Sequence, residues 1–179
     1  MIVFINGAFG VGKTTIAEQL VAQLPNSMLY DPEEVGFFLR NIVQPIEQFE
    51  DFQDLTMWRT LVVTTAQLLK ETYGRTLVMP MTIWYQPYFN EIMSGLRQID
   101  PRLYHFCLIA KKETLMERLQ SRYNSPDALA WCLQRIERCV NAFQLPAFAV
   151  QVETDAKTPE EIKAEIMSRI AHQPSCFLL

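Results

Sequence analysis

The chain has 179 residues and a mass of 20.8 kDa, which predicts one domain spanning residues 1–179. Apolar residues make up 49% of the sequence and charged residues 20%, a composition that excludes disordered, collagen-like and coiled-coil proteins. Sixteen Lys and Arg against twenty Asp and Glu give a net charge of −4. This charge argues against broad nucleic-acid binding, which needs net or clustered positive charge.

Strand-like and helix-like segments alternate along the sequence. Short apolar runs predict strands at residues 2–6, 27–30, 76–81, 103–110 and 148–153. Helical periodicity and capping residues predict helices over 12–24, 33–73, 87–98, 113–122 and 126–143, and a last one beginning near 159. This alternation predicts a three-layer α/β domain, with a five-stranded parallel sheet and helices on both faces.

The cysteines and apolar segments bear on localisation. No Cys pair has CxxC or zinc-site spacing, so we expect Cys132 and Cys139 to be core residues of a protein in a reducing, cytoplasmic compartment. We expect neither a signal peptide nor a transmembrane segment, because residues 2–6 resemble a strand and no apolar run reaches about 18 residues. The apolar end at 176–179 leaves weak contact with a membrane surface open. His105 lies in an apolar strand, where a buried or half-buried imidazole with its hydrogen bonds satisfied is expected.

The segment from Gly7 to Thr14 fits the pattern GxxxxGK[ST], directly after a predicted strand and at the start of a predicted helix. Glycines let backbone N–H groups wrap a phosphate, and the helix N-terminus adds a favourable dipole. Lys13 would bind the β- and γ-phosphate oxygens, and the Thr14 hydroxyl would bind Mg²⁺. We therefore expect ATP and Mg²⁺ to be bound by the loop residues Gly7, Ala8, Phe9, Gly10, Val11, Gly12, Lys13, Thr14 and Thr15.

Several stretches resemble one family within the P-loop small-molecule kinase superfamily, the ATP-binding tunicamycin-resistance proteins of bacteria. The stretches that carry the resemblance are INGAFGVGKT (5–14), YDPEEVGFFLR (30–40), DFQDLTMWR (51–59), LVMPMT (77–82), YFNEI (88–92) and HFCLIAKKETLMERL (105–119). The resemblance implies a protein that protects against a lipophilic nucleoside antibiotic. It also implies an acceptor-binding helical stretch at about 33–75 and a lid at about 118–138.

The resemblance also assigns a role to Asp31, at the end of the second predicted strand. Related kinases carry an acid here that takes the proton of the attacking hydroxyl or helps to hold Mg²⁺. Alternatively, Asp31 caps the helix that begins at Pro32, and one residue can do both. Thr82, after the third strand, could offer its hydroxyl to the substrate or simply form a turn.

Four arginines fall within the implied lid. Arg118 and Arg122 share one helix face, and Arg135 and Arg138 follow on the next helix. In the superfamily such arginines close over the transferred phosphoryl group, so Lys13, Asp31, Arg118 and Arg122 are the predicted catalytic residues, with surface ion pairs as the alternative for the arginines.

The acceptor site is predicted from residues near the second and third strands. Arg40 and Arg59 would bind a phosphate-like group, or else lie on a solvated face. Trp84 and Tyr88 lie in a turn, where they would form an aromatic wall for a nucleoside ring or acyl chain. After the fifth strand, the resemblance loosely places Asp155 beside the adenine of ATP.

The function expected from these residues is phosphoryl transfer from ATP to tunicamycin or to a related nucleoside or sugar hydroxyl. Two alternatives stay open: ATP-dependent sequestration of the drug without chemistry, and a nucleoside-monophosphate or shikimate-type kinase. A regulatory GTPase is disfavoured because the sequence has no NKxD segment.

Overall fold

The computed structural model describes residues 1–122, 126–148 and 150–172, with the Arg122 side chain left out. Within them, five parallel strands form one sheet in the order β2-β3-β1-β4-β5. The strands are β1 (Ile2–Gly7), β2 (Ser27–Leu29), β3 (Thr76–Met81), β4 (Leu103–Ile109) and β5 (Gln151–Glu153). The prediction of a five-stranded parallel sheet is confirmed.

Seven α-helices are present in the described residues. They are α1 (Lys13–Gln23), α2 (Pro32–Val43), α3 (Thr56–Tyr73), α4 (Gln86–Ile99), α5 (Lys112–Arg122), α6 (Pro126–Ala142) and α7 (Pro159–His172). The β1-to-β2 connection runs toward one edge of the sheet, and all later connections run the other way. Because crossovers between parallel strands are right-handed, α1 lies on one face and α2 to α6 lie on the other. The last helix, α7, packs against α1, so helices cover both faces, as predicted.

The central strand β1 explains why the sheet forms where it does. All six of its residues are buried, and Ile2, Val3, Phe4 and Ile5 have no exposed surface. A continuous apolar run of this kind is typical of a parallel strand covered on both faces. The phosphate-binding motif thus begins at the end of the most enclosed strand.

The predicted continuous helical stretch at 33–73 is wrong in one respect. Helix α2 ends at Val43, a short 3₁₀ turn covers Phe52–Asp54, and α3 begins at Thr56. Pro45 has no N–H to donate to the preceding turn, so the helix cannot continue through it. The Oδ1 of Asp51 then accepts a hydrogen bond from the N–H of Gln53 at 3.0 Å and starts the 3₁₀ turn. Two helices and an irregular segment between them therefore connect β2 to β3.

The fifth strand is shorter than predicted. The sequence predicts it over 148–153, but β5 begins only at Gln151. Pro146 opens a 3₁₀ turn that includes Phe148, and this turn buries the Phe148 ring in the core. The apolar signal at the start of the predicted strand thus comes from turn packing.

The expected burial of Cys132, Cys139 and His105 is confirmed, but the hydrogen bonds expected for His105 are absent from the described residues. Cys132 and Cys139 are buried free thiols on α6, and His105 is buried on β4. In the described part of the chain, none of the helices has the length and apolar character that a bilayer-spanning segment requires. The apolar end at 176–179 lies outside the described residues.

Candidate active site

A cavity of about 460 Å³ opens where β1 and β3 end. Its walls come from the phosphate loop, the second strand's end, α2, the 3₁₀ turn, the end of β3 and α6. The residues that line it are Phe9, Gly10, Lys13, Thr14, Asp31, Glu33, Phe37, Arg40, Asp51, Phe52, Gln53, Pro80, Met81, Thr82, Asp127, Ala128, Trp131 and Cys132. Four of the predicted loop residues are therefore brought together with three other predicted site residues: Phe9, Gly10, Lys13 and Thr14 with Asp31, Arg40 and Thr82.

The loop from Gly7 to Gly12 has a backbone that requires glycine at defined points. Gly12 has φ 102° and forms the N-cap of α1, and Gly10 has φ 79°. A Cβ on Gly10 would come within 3.0 Å of the Leu119 Cγ, whereas one on Gly12 would meet nothing within 4 Å. Both positions disfavour L side chains by conformation. The first N–H groups of α1 are thus left pointing into the loop, which suits a phosphate.

Lys13 reaches back over its own loop. Its Nζ donates a hydrogen bond to the Ala8 carbonyl at 3.0 Å and lies 5.7 Å from the centre of the Phe9 ring. The ammonium group is therefore held beside the backbone that would wrap a phosphate. Val11, in the same loop, is buried. Thr15 is exposed on α1 and does not line the cavity.

Asn6 is a site residue that the sequence analysis missed. Its side chain is fully buried, and its Oδ1 accepts hydrogen bonds from the N–H groups of Gly7 and Ile83, both at 2.9 Å. Its Nδ2 donates to the Ile83 carbonyl at 3.0 Å. A single carboxamide thus joins the start of the phosphate loop to the segment after β3. The available signal was a polar residue ending an otherwise apolar strand.

Asp31 has both of the roles considered for it within reach. Its Oδ1 accepts a hydrogen bond from the Glu33 N–H at 2.9 Å and so caps α2, while the residue also lines the cavity. Burial raises the pKa of the Asp31 carboxyl, against the hydrogen bond from Glu33 and the attraction of Lys13. A carboxylate with a raised pKa accepts a proton more readily, which is what a general base requires.

Another part of the cavity wall carries Arg40, Gln53 and Thr82. The Arg40 guanidinium lies 5.7 Å from the centre of the Phe52 ring. The Gln53 side chain donates to the Thr82 carbonyl at 2.9 Å and so fixes the end of β3. The Thr82 hydroxyl is buried and has no hydrogen-bond partner in the described part of the chain. This wall therefore combines one cation with polar groups held by the 3₁₀ turn.

Arg59 lies elsewhere, although the sequence grouped it with Arg40. Its side chain is 9% exposed, and its Nε forms an ion pair with Glu91 at 2.7 Å. Its other nitrogens donate to the carbonyls of Gln53 and Asp54 and to the hydroxyl of Thr56. The guanidinium thus holds the start of α3 and does not line the cavity.

The aromatic wall of the cavity differs from the one expected at Trp84 and Tyr88. Tyr88 packs over the Arg59 guanidinium at 4.1 Å, and Trp84 lies 6.0 Å from the Arg138 guanidinium. Neither residue lines the cavity. The aromatic side chains that do line it are Phe9, Phe37, Phe52 and Trp131. Trp131 was missed because a tryptophan at helical spacing resembles a core residue.

Of the four arginines in the implied lid, Arg118 lies where α5 meets the loop after β5. Arg118 donates to the hydroxyl and the carbonyl of Thr154 at 3.1 and 3.2 Å, which joins α5 to the loop after β5. Asp155 accepts a hydrogen bond from the Lys111 N–H at 2.8 Å, and this bond lowers the pKa of its carboxyl against the effect of burial. The Arg122 side chain lies outside what the structure describes.

The cavity's oxygen ligands can be compared with the needs of Mg²⁺. Thr14 and Asp31 both line the cavity, so a hydroxyl and a carboxylate are available beside the phosphate loop. Mg²⁺ prefers oxygen ligands and takes few of them from the protein when phosphates are present. Within 1–122, 126–148 and 150–172 there is no group of three or more His, Cys, Asp or Glu that could hold a metal alone. The residues fit Mg²⁺ bound together with a nucleotide.

A family model described as an AAA domain matches residues 2–146. The chain belongs to this family. The match covers the whole phosphate loop and the sheet through β4. Comparison with curated protein sequences gives no match.

Solved structures give the same fold. The tunicamycin resistance protein of Deinococcus radiodurans is 26% identical, with a TM-score of 0.78 and coverage of 95% of each chain. A gluconokinase from Sinorhizobium meliloti 1021 is 17% identical, with a TM-score of 0.63 over 94% of this chain and 90% of that one. A shikimate kinase from Acinetobacter baumannii, in complex with shikimate, is 15% identical, with a TM-score of 0.61 over 95% and 92%. The chain therefore has a P-loop kinase-like fold, as the resemblance implied.

Proposed function

We propose that the protein transfers a phosphoryl group from ATP, with Mg²⁺, to a hydroxyl of a nucleoside antibiotic such as tunicamycin or of a related nucleoside or sugar. One observation carries the proposal: the phosphate loop and Asp31 face the same cavity, and this cavity extends to a polar and aromatic wall. A purely nucleotide-binding site would not need this second wall.

Each residue would contribute one step. The loop amides and Lys13 would hold the triphosphate, and Thr14 would hold Mg²⁺. Bound ATP would supply the phosphoryl group. Asp31 would accept the proton of the attacking hydroxyl, and burial favours this role because it raises the pKa of the carboxyl. Arg118, held at the loop after β5, would neutralise charge on the nucleotide side.

The charges on the cavity wall favour an acceptor without a phosphate. Among the residues that the structure describes, four carboxylates line the cavity, from Asp31, Glu33, Asp51 and Asp127, against the two cations of Lys13 and Arg40. Arg59 is occupied by protein groups. A nucleoside monophosphate would bring its negative charge toward these carboxylates, so this balance disfavours a nucleoside-monophosphate kinase. The 26% identical tunicamycin resistance protein supports an uncharged nucleoside as the acceptor.

The proposal is tested by incubating the protein with ATP, Mg²⁺ and tunicamycin. We expect mass spectrometry to find phosphorylated tunicamycin, and a coupled assay to find ADP release that depends on the drug. Asp31→Asn is the matched variant, since asparagine caps a helix as well as aspartate does but is a poor base. This variant should bind ATP and drug normally and lose turnover by about 100-fold or more.

Three results would contradict the proposal. If the wild type forms no phosphorylated tunicamycin and releases no drug-dependent ADP, phosphoryl transfer to tunicamycin is excluded. Tight ATP-dependent drug binding without product, unchanged in Asp31→Asn, would instead support sequestration. Turnover of shikimate or a nucleoside monophosphate, but of no nucleoside or sugar, would assign the protein to the other kinase classes.

A further inference from the structure

Trp131 is an aromatic cavity residue to which neither the sequence nor the proposed reaction assigns a role. It lies on α6, two turns into the helix, and lines the cavity beside the phosphate loop and α2. The indole is only partly buried, whereas Ile136 and Cys139 further along α6 are in the core. A large aromatic side chain that keeps exposed surface inside a cavity can still bury that surface against a ligand.

The indole of Trp131 is held in place before any ligand binds. The Phe9 ring meets it edge-on, with the ring centres 5.2 Å apart. The Arg135 guanidinium lies 4.0 Å from the ring centre, and Arg135 also forms an ion pair with Glu50 at 3.6 Å. A ring fixed from two directions loses little rotamer freedom on binding a ligand, so its contacts contribute more to affinity.

The opposite part of the cavity provides further aromatic surface. Phe37 lines the cavity from α2, and its side chain is 48% exposed. It contacts Phe52, another lining residue, in an edge-on arrangement at 6.2 Å. Helices α2 and α6 thus bring aromatic rings to one cavity. Rings bind flat π-systems through stacked or edge-to-face contacts, whereas a saturated sugar gains less from them.

We propose that Trp131 determines acceptor specificity by binding a planar heterocyclic ring of the acceptor, such as a nucleobase. This inference rests on the proposed function, because it assigns the cavity to the acceptor. It goes further by naming the residue that recognises the ring and the part of the acceptor that it recognises. Acceptors without a planar ring make no use of Trp131.

The test compares Trp131→Ala, Trp131→Phe and the wild type in the presence of ADP and Mg²⁺. The probes are tunicamycin and uridine, which carry a base, and ribose, which does not. Binding is followed by calorimetry for tunicamycin and by saturation-transfer NMR for uridine and ribose. We expect Trp131→Ala to weaken tunicamycin binding about tenfold or more and to remove the uracil signal of uridine. Trp131→Phe should restore both, and the ribose signal should not change.

A matched control and two further readouts separate recognition from a structural effect. Tyr73→Ala removes an exposed aromatic residue at the end of α3, outside the cavity, and should leave every probe unaffected. ADP affinity should be the same in all variants. The inference is overturned if the wild type shows no contact with the base, if Trp131→Ala weakens ADP or ribose equally, or if Trp131→Phe fails to restore binding. Ring-dependent binding without phosphorylated product would defeat the proposed function and leave this inference standing.

Discussion

Single buried polar residues position much of the site. Asn6 joins the phosphate loop to the end of β3, and Gln53 holds the Thr82 carbonyl from the other side. Arg59 holds the start of α3 through its hydrogen bonds. Buried polar groups must be paired, so each of them fixes the backbone that it contacts. Their importance was not predictable, because the sequence does not show which carbonyl a buried amide or guanidinium will meet.

His105 is a buried polar residue that lacks such partners in the described part of the chain. Both ring nitrogens are buried without a hydrogen bond in the described residues, and the ring is surrounded by Phe4, Phe89 and Phe148. Burial lowers the pKa of His105 from 6.5 to about 3. Below pH 6.5 the unfolded chain gains a proton that the folded protein does not accept. Stability is therefore lost progressively as the pH falls from 6.5 toward 3.

The residue-scale prediction is that His105→Phe removes this loss. We expect the free energy of unfolding of the wild type, relative to the variant, to decrease by about 1.4 kcal/mol per pH unit between pH 6 and pH 4. Urea titrations at several pH values measure it. Using the difference between the two proteins cancels the titration of carboxylates that they share. A difference that does not vary with pH would show that the imidazole becomes protonated in the folded protein.

At the scale of elements, the loop that begins α1 and the C-cap of α3 offer a matched pair of glycines. Gly12 has φ 102° and Gly74 has φ 63°, and a Cβ at either position would meet no atom within 4 Å. An L residue at either position would therefore have a strained backbone but no steric clash; one position lies in the phosphate loop and the other at the C-cap of α3. Comparing alanine substitutions at the two positions therefore separates a loss of stability caused by backbone strain from a loss of ATP binding.

We expect Gly12→Ala and Gly74→Ala each to lower the free energy of unfolding by about 1–2 kcal/mol, since an L residue is strained at positive φ. Only Gly12→Ala should also weaken ATP binding, because the strain is relieved by moving the loop amides. Thermal unfolding and calorimetric titration with ATP measure the two effects. Equal ATP affinities in both variants would mean that the loop's conformation does not control binding.

Elements were predictable where one local signal decides them. The strand before the loop, the loop and α1 follow from an apolar run, a glycine pattern and helical periodicity. The end of α2 was not predicted because helical apolar spacing continues through Pro45. The predicted fifth strand was too long because Phe148 is apolar and buried but lies in a 3₁₀ turn. Trp131 was overlooked as a cavity residue for a related reason: Trp131 and Trp84 look alike in sequence, and only the packing of α6 places Trp131 in the cavity.

For the whole molecule, ATP binding should be visible as stabilisation. A ligand at 100 times its dissociation constant stabilises the folded state by about 2.7 kcal/mol, which for a chain of this size raises Tm by about 5–10 °C. We expect this shift with ATP and Mg²⁺, a smaller one when EDTA removes the metal, and none for Lys13→Met. Differential scanning fluorimetry measures it. An equal shift in Lys13→Met would place the nucleotide away from the phosphate loop.

The strand order places two parts of the candidate site on different sides of the central strand β1. Helices α2 and α3 connect β2 to β3, the two strands on one flank of β1. Arg118 and Thr154 lie on the other flank, with β4 and β5. Helix α6, on the β4 and β5 flank, nevertheless reaches the first flank, since Trp131 lines the cavity together with α2 residues and Arg135 pairs with Glu50. Under the proposed function, substitutions in α2 and α6 could change the acceptor while ATP remains the phosphoryl donor. Exchanging residues 32–73 and 126–142 for the matching stretches of a relative would test this consequence.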